Sequence, residues 1–257
     1  MSSKITLKNR HEIAKLRDAG RLVAETFEML REYVQPGAKL SDLDRIAEAF
    51  ILKHGGKVLY KGYRPTRSTP PFPGTICASV NHEICHGIPD DRVLKEGDII
   101  GVDIGLRLRG WCGDSCVTYP VGNITPEARR LLTVAEEALY AGIRAAQPGG
   151  YLNDIGTAIQ AFVEARGMNV VREWGGHGIG RELHEAPSVS HVRSRNSGPR
   201  LRPGMVFNIE PMINLGKPEW LQLDDGWTVI TRDGSLSAQF EHTVAITPQG
   251  PKILSRL

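Results

Sequence analysis

Four acidic residues occupy places where acids are costly. Asp103 lies in the apolar run Ile99-Ile100-Gly101-Val102-Asp103-Ile104, and Glu210 in Val206-Phe207-Asn208-Ile209-Glu210-Pro211-Met212. Asp114 and Glu241 each stand just before a β-branched run, in Gly113-Asp114-Ser115-Cys116-Val117 and Phe240-Glu241-His242-Thr243-Val244. An ionised carboxylate in such surroundings needs a compensating cation. One such acid alone is most often salt-bridged or at a sheet edge. Four in one cleft call for as much positive charge as two divalent cations supply, with the acids as terminal or bridging ligands.

Three of the eight histidines stand out by context. His177 sits among glycines in Gly175-Gly176-His177-Gly178-Ile179-Gly180, where backbone can approach closely and the imidazole can reach a site edge. His184 follows in Leu183-His184-Glu185, and His86 lies in Cys85-His86-Gly87-Ile88-Pro89. Neutral imidazole is a common metal ligand, and a second histidine beside a metal can move a proton or stabilise an oxyanion. A phosphate loop is the competing reading of the glycines. No Lys-Ser/Thr follows them and the dinucleotide spacing is absent. Cys112, Asp114 and Cys116 alternate, so in an extended strand they share a face; the thiols read as small packing residues.

The elements that must position these groups come as a repeat. Residues Gln35 to Gly55 align with Gln147 to Gly167 at a constant offset of 112, with 8 identities in 21 positions. Before the first copy, Asn9 and Glu12 form a capping pair ahead of Ile13, Leu16, Val23, Phe27, Leu30 and Val34 at helical spacing. Before the second, Thr125-Pro126 starts a helix through Leu131, Leu132, Ala135, Leu139 and Ile143, which Pro148-Gly149 stops. Each copy is itself a helix, with Leu43, Ile46, Ala47, Phe50 and Ile51 or Ile155, Ala158, Ile159, Phe162 and Val163 as its stripe, ended by Gly55 or Gly167.

Strand signals follow each helix pair, at 98–108, 116–121, 168–174, 205–213, 227–232 and 240–247. Helices followed by strands predict an α+β fold, a mostly antiparallel sheet with helices on one face. The segment Leu94 to Asp103 aligns with Leu201 to Glu210, so Asp103 matches Glu210. The expected architecture is one domain over 1–257, its pseudo-symmetric halves, about 1–123 and 124–257, facing each other across a cleft.

Composition narrows the class of function. A net charge of +3 over 257 residues, without a block of like charge, offers little footprint for DNA or anionic lipid. Apolar stretches are broken within about ten residues, far short of the roughly 20 a membrane span requires. The start Met1-Ser2-Ser3-Lys4-Ile5 has no apolar core of a secretory signal, so the cytoplasm is expected. Cys77, Cys85, Cys112 and Cys116 lack paired C-x-x-C spacing and are expected to be reduced.

Taken together, several separated motifs resemble the type I methionine aminopeptidases: Cys85-His86-Gly87-Ile88-Pro89, Val102-Asp103 with Asp114 eleven residues on, Gly176-His177-Gly178-Ile179-Gly180, Leu183-His184-Glu185, Phe207-Asn208-Ile209-Glu210-Pro211, and Ser237-Ala238-Gln239-Phe240-Glu241-His242. The resemblance runs over nearly the whole chain. It implies the pita-bread (creatinase/aminopeptidase-like) fold, a curved antiparallel sheet with helices on its outer face and an internal pseudo-twofold axis.

Carried over by position, the resemblance implies a dinuclear site of Asp103, Asp114, His177, Glu210 and Glu241, with Asp114 and Glu241 bridging and with cobalt, manganese, iron or zinc as the metal. It implies Glu210 as proton acceptor, His184 at the developing oxyanion and His86 at the scissile amide. Tyr63, Phe72, Cys77, Leu183 and Trp227 match the methionine pocket. Asn81 and Ser237, with a carbonyl near Glu83, match a monovalent cation site of some members. The implied substrates are N-terminal methionine peptides of nascent proteins with a small second residue, with the ribosome as a further partner; a monomer is expected. Since the chain starts Met1-Ser2, it is expected to be its own substrate.

Two departures bear on the pocket. The segment Tyr63 to Gly74 is longer than the loop usual before the Cys77 strand, and Leu183 stands where an aromatic is common. The competing readings are an Xaa-Pro aminopeptidase or prolidase of the same fold, and a non-catalytic peptide-binding module, in which ligand positions are typically substituted.

Overall fold

The structure is a computed structural model that describes residues 4–257. The expectation that the chain trims its own Met1-Ser2 terminus lies outside the described residues.

Helix α1 (Arg10–Arg31) begins where the capping pair predicts: Asn9 Oδ1 accepts the N–H groups of His11 and Glu12 at 2.9 and 3.0 Å, and Glu12 Oε2 accepts that of Asn9 at 2.8 Å. It stops short of Val34. Helix α2 (Leu40–Lys53) follows, then β1 (Gly56–Val58), β2 (Cys77–Val80), β3 (Glu83–Cys85), β4 (Ile99–Leu108) and β5 (Trp111–Pro120). Helix α3 (Pro126–Ala145) starts with Thr125 Oγ1 accepting the N–H of Ala128 at 3.1 Å, and α4 (Leu152–Glu164) completes the second pair. Ten short strands close the chain: β6 (Asn169–Val170), β7 (Gly176–Gly178), β8 (Glu185–Val189), β9 (Val206–Ile209), β10 (Met212–Asn214), β11 (Trp220–Gln222), β12 (Val229–Thr231), β13 (Ser237–Gln239), β14 (His242–Thr247) and β15 (Gly250–Ile253). No helix among the described residues is long and apolar enough to cross a membrane.

Among the described residues every strand pairing is antiparallel, but the sheet is divided into four hydrogen-bonded pieces: β1-β4-β2 with β5 on β4, β13-β10-β6, β11-β12-β3 and β15-β14-β9-β7-β8. The expected strand at 205–213 breaks into β9 and β10 at Glu210-Pro211, where proline has no N–H for a ladder. Single bonds stitch the pieces together: Glu241 N–H donates to the Cys116 carbonyl at 2.9 Å, and Thr118 Oγ1 to that of Gln239 at 2.7 Å.

The repeat reappears as matched hydrogen bonds. Gly37 N–H donates to Leu94 O and Gly149 N–H to Leu201 O, both at 2.8 Å; Leu94 N–H returns to Ala38 O and Leu201 N–H to Gly150 O, again at 2.8 Å. Isolated bridges join Lys39 to Val93 and Tyr151 to Arg200 at the starts of α2 and α4. The correspondence is looser for the second acid of each half. Cys116 is opposite Asp103 on the β4/β5 ladder, whereas His242 opposite Ile209 carries Glu241 against Glu210 when the β9/β14 ladder is extended one step. Asp114 thus lies two residues from the position equivalent to Glu241.

Packing decides where the acids point. Ile100, Val102 and Ile104 bury against Leu22, Phe27, Leu43 and Ile51 of α1 and α2, which by strand alternation turns Asp103 to the other face. Phe207 and Ile209 likewise pack with Leu131, Leu139, Ile155 and Ile159 of α3 and α4, turning Asn208 and the adjoining Glu210 away from the helices. Each such aliphatic contributes about 1.5–3 kcal/mol on burial, which offsets the cost of aiming polar groups inward. Leu16 and Trp111 meet Ile179 and Val206 in a third cluster.

Candidate metal centre

The acid-bearing face opens on a cavity of about 450 Å³ whose lining includes Asp103, Asp114, His177, Glu210 and Glu241. Ligand-capable atoms of Asp114, His177 and Glu241 all lie within 4.8 Å of one another. His177 Nε2 stands 3.5 Å from Asp114 Oδ2 and 3.7 Å from Glu210 Oε1. His177 Nδ1 faces the Gly178 carbonyl at 3.1 Å, so the proton belongs on Nδ1 and Nε2 presents a lone pair to the acids. The glycines beside it are required by close approach: a Cβ on Gly176 would sit 2.1 Å from Asn208 O, and one on Gly178 2.1 Å from Ala186 O. They let β7 lie between β8 and β9.

Several partners hold the acids. Asn208 Nδ2 donates to Asp114 Oδ2 at 3.0 Å, and Gln239 Nε2 to Glu210 Oε2 at 3.2 Å. The Tyr60 hydroxyl lies 2.6 Å from Asp103 Oδ1 and 2.7 Å from Asp114 Oδ1. Glu210 Oε1 and Glu241 Oε1 are buried with no hydrogen-bond partner among the described residues. Burial, then the charge of Asp114, raises the Asp103 carboxyl well above the usual range; burial and the charges of neighbouring acids do the same to Glu210 and Glu241. Burial raises Asp114 to about 7. A crowd of desolvated carboxylates with orphaned oxygens and an imidazole lone pair is a donor set that fits divalent cations.

The flanking histidines are neutral. Burial, then the neighbouring His184, lowers His86 to about 4; burial, then His177, lowers His184 to about 4. His86 adopts a left-handed backbone, φ 57°, and its ring meets Trp174 edge-on at 5.1 Å. Tyr63 Oη lies 3.3 Å from His184 Nδ1, and the rings of His184 and His177 are 4.3 Å apart.

Tyr63, Phe72, Cys77 and Trp227 line the same cavity. Phe72 meets Trp227 edge-on at 5.1 Å, and Trp227 Nε1 donates to the Pro70 carbonyl at 3.0 Å, so the long loop buttresses this wall. Leu183 does not share it. Its side chain packs with Leu16, Trp111 and Ile179 behind the site while its neighbour His184 faces the cavity. Asn81 and Ser237 meet through Ser237 N–H donating to Asn81 O at 2.9 Å. The Asn81 side chain is committed to Asp98 and to the Ile99 N–H, leaving carbonyl oxygens as the donors a monovalent ion would use. Cys112 and Cys116 stay off the lining, directed at the carbonyls of Arg181 and Gln239, and burial raises both thiols.

Tyr60 and His191 carry no periodic or motif signal that sequence reasoning could use, while Asn208, Gln239 and Trp174 fall within motifs or strand runs that assign them no role. The nearest hint for Asn208 and Gln239 is a polar residue inside the same apolar runs that hold Glu210 and Glu241.

The model of Metallopeptidase family M24 matches residues 14–248. Methionine aminopeptidase 1 of Bacillus subtilis is 50% identical over 253 residues, covering 98% of this chain and 100% of that protein. A crystal structure of methionine aminopeptidase from Rickettsia prowazekii superposes with a TM-score of 0.94 at 40% identity, covering 98% and 100% of the two chains. A prolidase from Pyrococcus furiosus, 21% identical and matched over 65% of its length, shares the pita-bread fold at a TM-score of 0.78. With four helices among the described residues, antiparallel sheets and a ligand cluster on the sheet face turned from the helices, the chain belongs to metallopeptidase family M24.

Proposed function

We propose that the chain is a methionine aminopeptidase that removes an N-terminal methionine from peptides whose second residue is small. The observation that carries this reading is the convergence of Asp103, Asp114, His177, Glu210 and Glu241 on one cavity whose wall is Tyr63, Phe72, Cys77 and Trp227. These five side chains would hold two divalent ions of cobalt, manganese, iron or zinc, and carbonyls near Asn81, Glu83 and Ser237 one monovalent cation. When bound, the divalent ions lower the pKa of a water and polarise the peptide carbonyl.

The chain's own residues supply the rest. Glu210, with Oε2 held by Gln239 and Oε1 uncommitted, takes the proton of the attacking water. Tyr63 donates to Nδ1 of His184, which leaves its Nε2–H to steady the developing oxyanion. His86, neutral and fixed by its left-handed backbone, contacts the scissile amide. The free α-amine would bind one of the ions that these side chains would hold, which would fix the register so that one residue leaves. The aromatic wall accepts the unbranched, polarizable methionine side chain.

Substrates on this reading are N-terminal peptides of nascent proteins, met in the cytoplasm and at the ribosome by a monomeric enzyme. Turnover of Met-Ala-Ser after metal reconstitution, with Ala-Pro-Ala inert, is the expected result. Preference for Ala-Pro-Ala would assign the chain to the Xaa-Pro aminopeptidase or prolidase group of the fold.

A further inference from the structure

The phenol of Tyr60 reaches the acids by a built route. Tyr60 follows β1, which pairs with β4 through Gly56–Leu108, Lys57–Arg107 and Val58–Leu106, and the bond from Leu59 N–H to Gly105 O at 3.1 Å extends that pairing. The ring then lies over Gly105, where a Cβ would sit 2.5 Å from Tyr60 Cε1 and 2.8 Å from Cζ. Phe72 flanks the ring edge-on at 6.4 Å. Only a residue without a side chain at position 105 lets the ring lie against β4, and this places the hydroxyl between Asp103 and Asp114.

One phenolic hydrogen can serve only one of these two acceptors. Asp114 already has Asn208 as a donor, at 3.0 Å. Asp103 has no other side-chain donor among the described residues, and its remaining support is the Ile104 backbone. We propose that Tyr60 is a positioning residue whose hydroxyl donates to Asp103 Oδ1 and orients that carboxylate as a divalent-metal ligand. The inference rests on the metal reading above. Fixing a ligand through its hydrogen-bond partner is worth about 10–100-fold in metal affinity in such sites.

The test is calorimetric titration of metal-free protein with Mn²⁺, wild type against Tyr60→Phe, which keeps the ring and deletes the hydroxyl. The expected result is an affinity lowered at least about 10-fold for one ion, with the melting temperature of the metal-free protein changed by only a few degrees. Gly105→Ala, which displaces the ring while leaving the hydroxyl on the chain, should weaken Mn²⁺ binding likewise. Tyr60→Phe binding Mn²⁺ within twofold of wild type would overturn the proposal. A visible phenolate-to-iron absorption band in Fe³⁺-loaded wild type, lost in Tyr60→Phe, would also overturn it, by making Tyr60 a ligand itself. If wild type takes up no Mn²⁺, the metal reading fails as well.

Discussion

The backbone N–H of Glu210 donates to His191 Nε2 across 3.1 Å, at the point where β9 gives way to β10. Pro211 interrupts the ladder there, so the imidazole replaces the strand partner that this buried N–H lacks. Burial, then the neighbouring His177, holds His191 near a pKa of about 3, and the neutral ring accepts at Nε2. Replacing His191 with Leu leaves the N–H unpaired and should cost about 1–3 kcal/mol in urea unfolding of the metal-free protein. A cost below about 0.5 kcal/mol would mean that the bond contributes nothing net.

Lys8 is buried ahead of α1, and its Nζ lies 2.6 Å from Glu185 Oε2. Glu185 Oε1 in turn accepts the N–H of Arg181 at 3.0 Å, on the segment that carries His184. Lys8→Met leaves the part-buried Glu185 carboxylate without this partner and should destabilise the protein by about 1–2 kcal/mol. Lys8→Arg should recover part of it. Equal melting temperatures for Lys8→Met and wild type would refute this.

Acids with raised folded pKa values bind more protons in the folded than in the unfolded state between their two values. For Asp114 that window runs from the ordinary carboxylate range up to about 7, so its contribution to the stability of the metal-free protein is lost as pH rises through it. His86 and His191, lowered by burial, act with the opposite sign, so total stability is a poor readout. The gap in melting temperature between Mn²⁺-saturated and metal-free protein isolates the acids and should widen from pH 5 to pH 8, because at low pH the ion must displace protons. A gap independent of pH would contradict the raised carboxyls.

His184→Ala, losing the donor assigned to the oxyanion, should lower kcat on Met-Ala-Ser by about 10²–10³-fold with a smaller change in KM. Stopped-time peptide assays at saturating metal would detect it. A change confined to KM would move His184 from the oxyanion to ground-state binding.

What the sequence made legible follows from periodicity and repetition. Helix boundaries at Asn9 and Thr125 rest on local capping chemistry, and Asp103 and Glu210 were visible because each interrupts an apolar run within an internal repeat. The strands β1, β3, β7, β8, β11, β13 and β15 lie outside the predicted ranges; they are three to five residues long, too short for alternation to register. The sheet's division into four pieces depends on Pro211 and on cross-strand bonds that no local pattern encodes. Tyr60 and His191 were missed because one residue brought in from a distant segment has no periodicity. The resemblance assigns Leu183 to the pocket by position, yet its side chain packs behind the site while that of adjacent His184 faces the cavity.

The most direct test is anomalous diffraction from crystals of the Mn²⁺-saturated enzyme, collected alongside crystals of Asp103→Asn and His177→Ala. Two manganese peaks among Asp103, Asp114, His177, Glu210 and Glu241, with at least one lost in each variant along with turnover of Met-Ala-Ser, is the predicted result. A wild-type cavity without manganese at saturation, or variants that hydrolyse the peptide at the wild-type rate, would contradict the account.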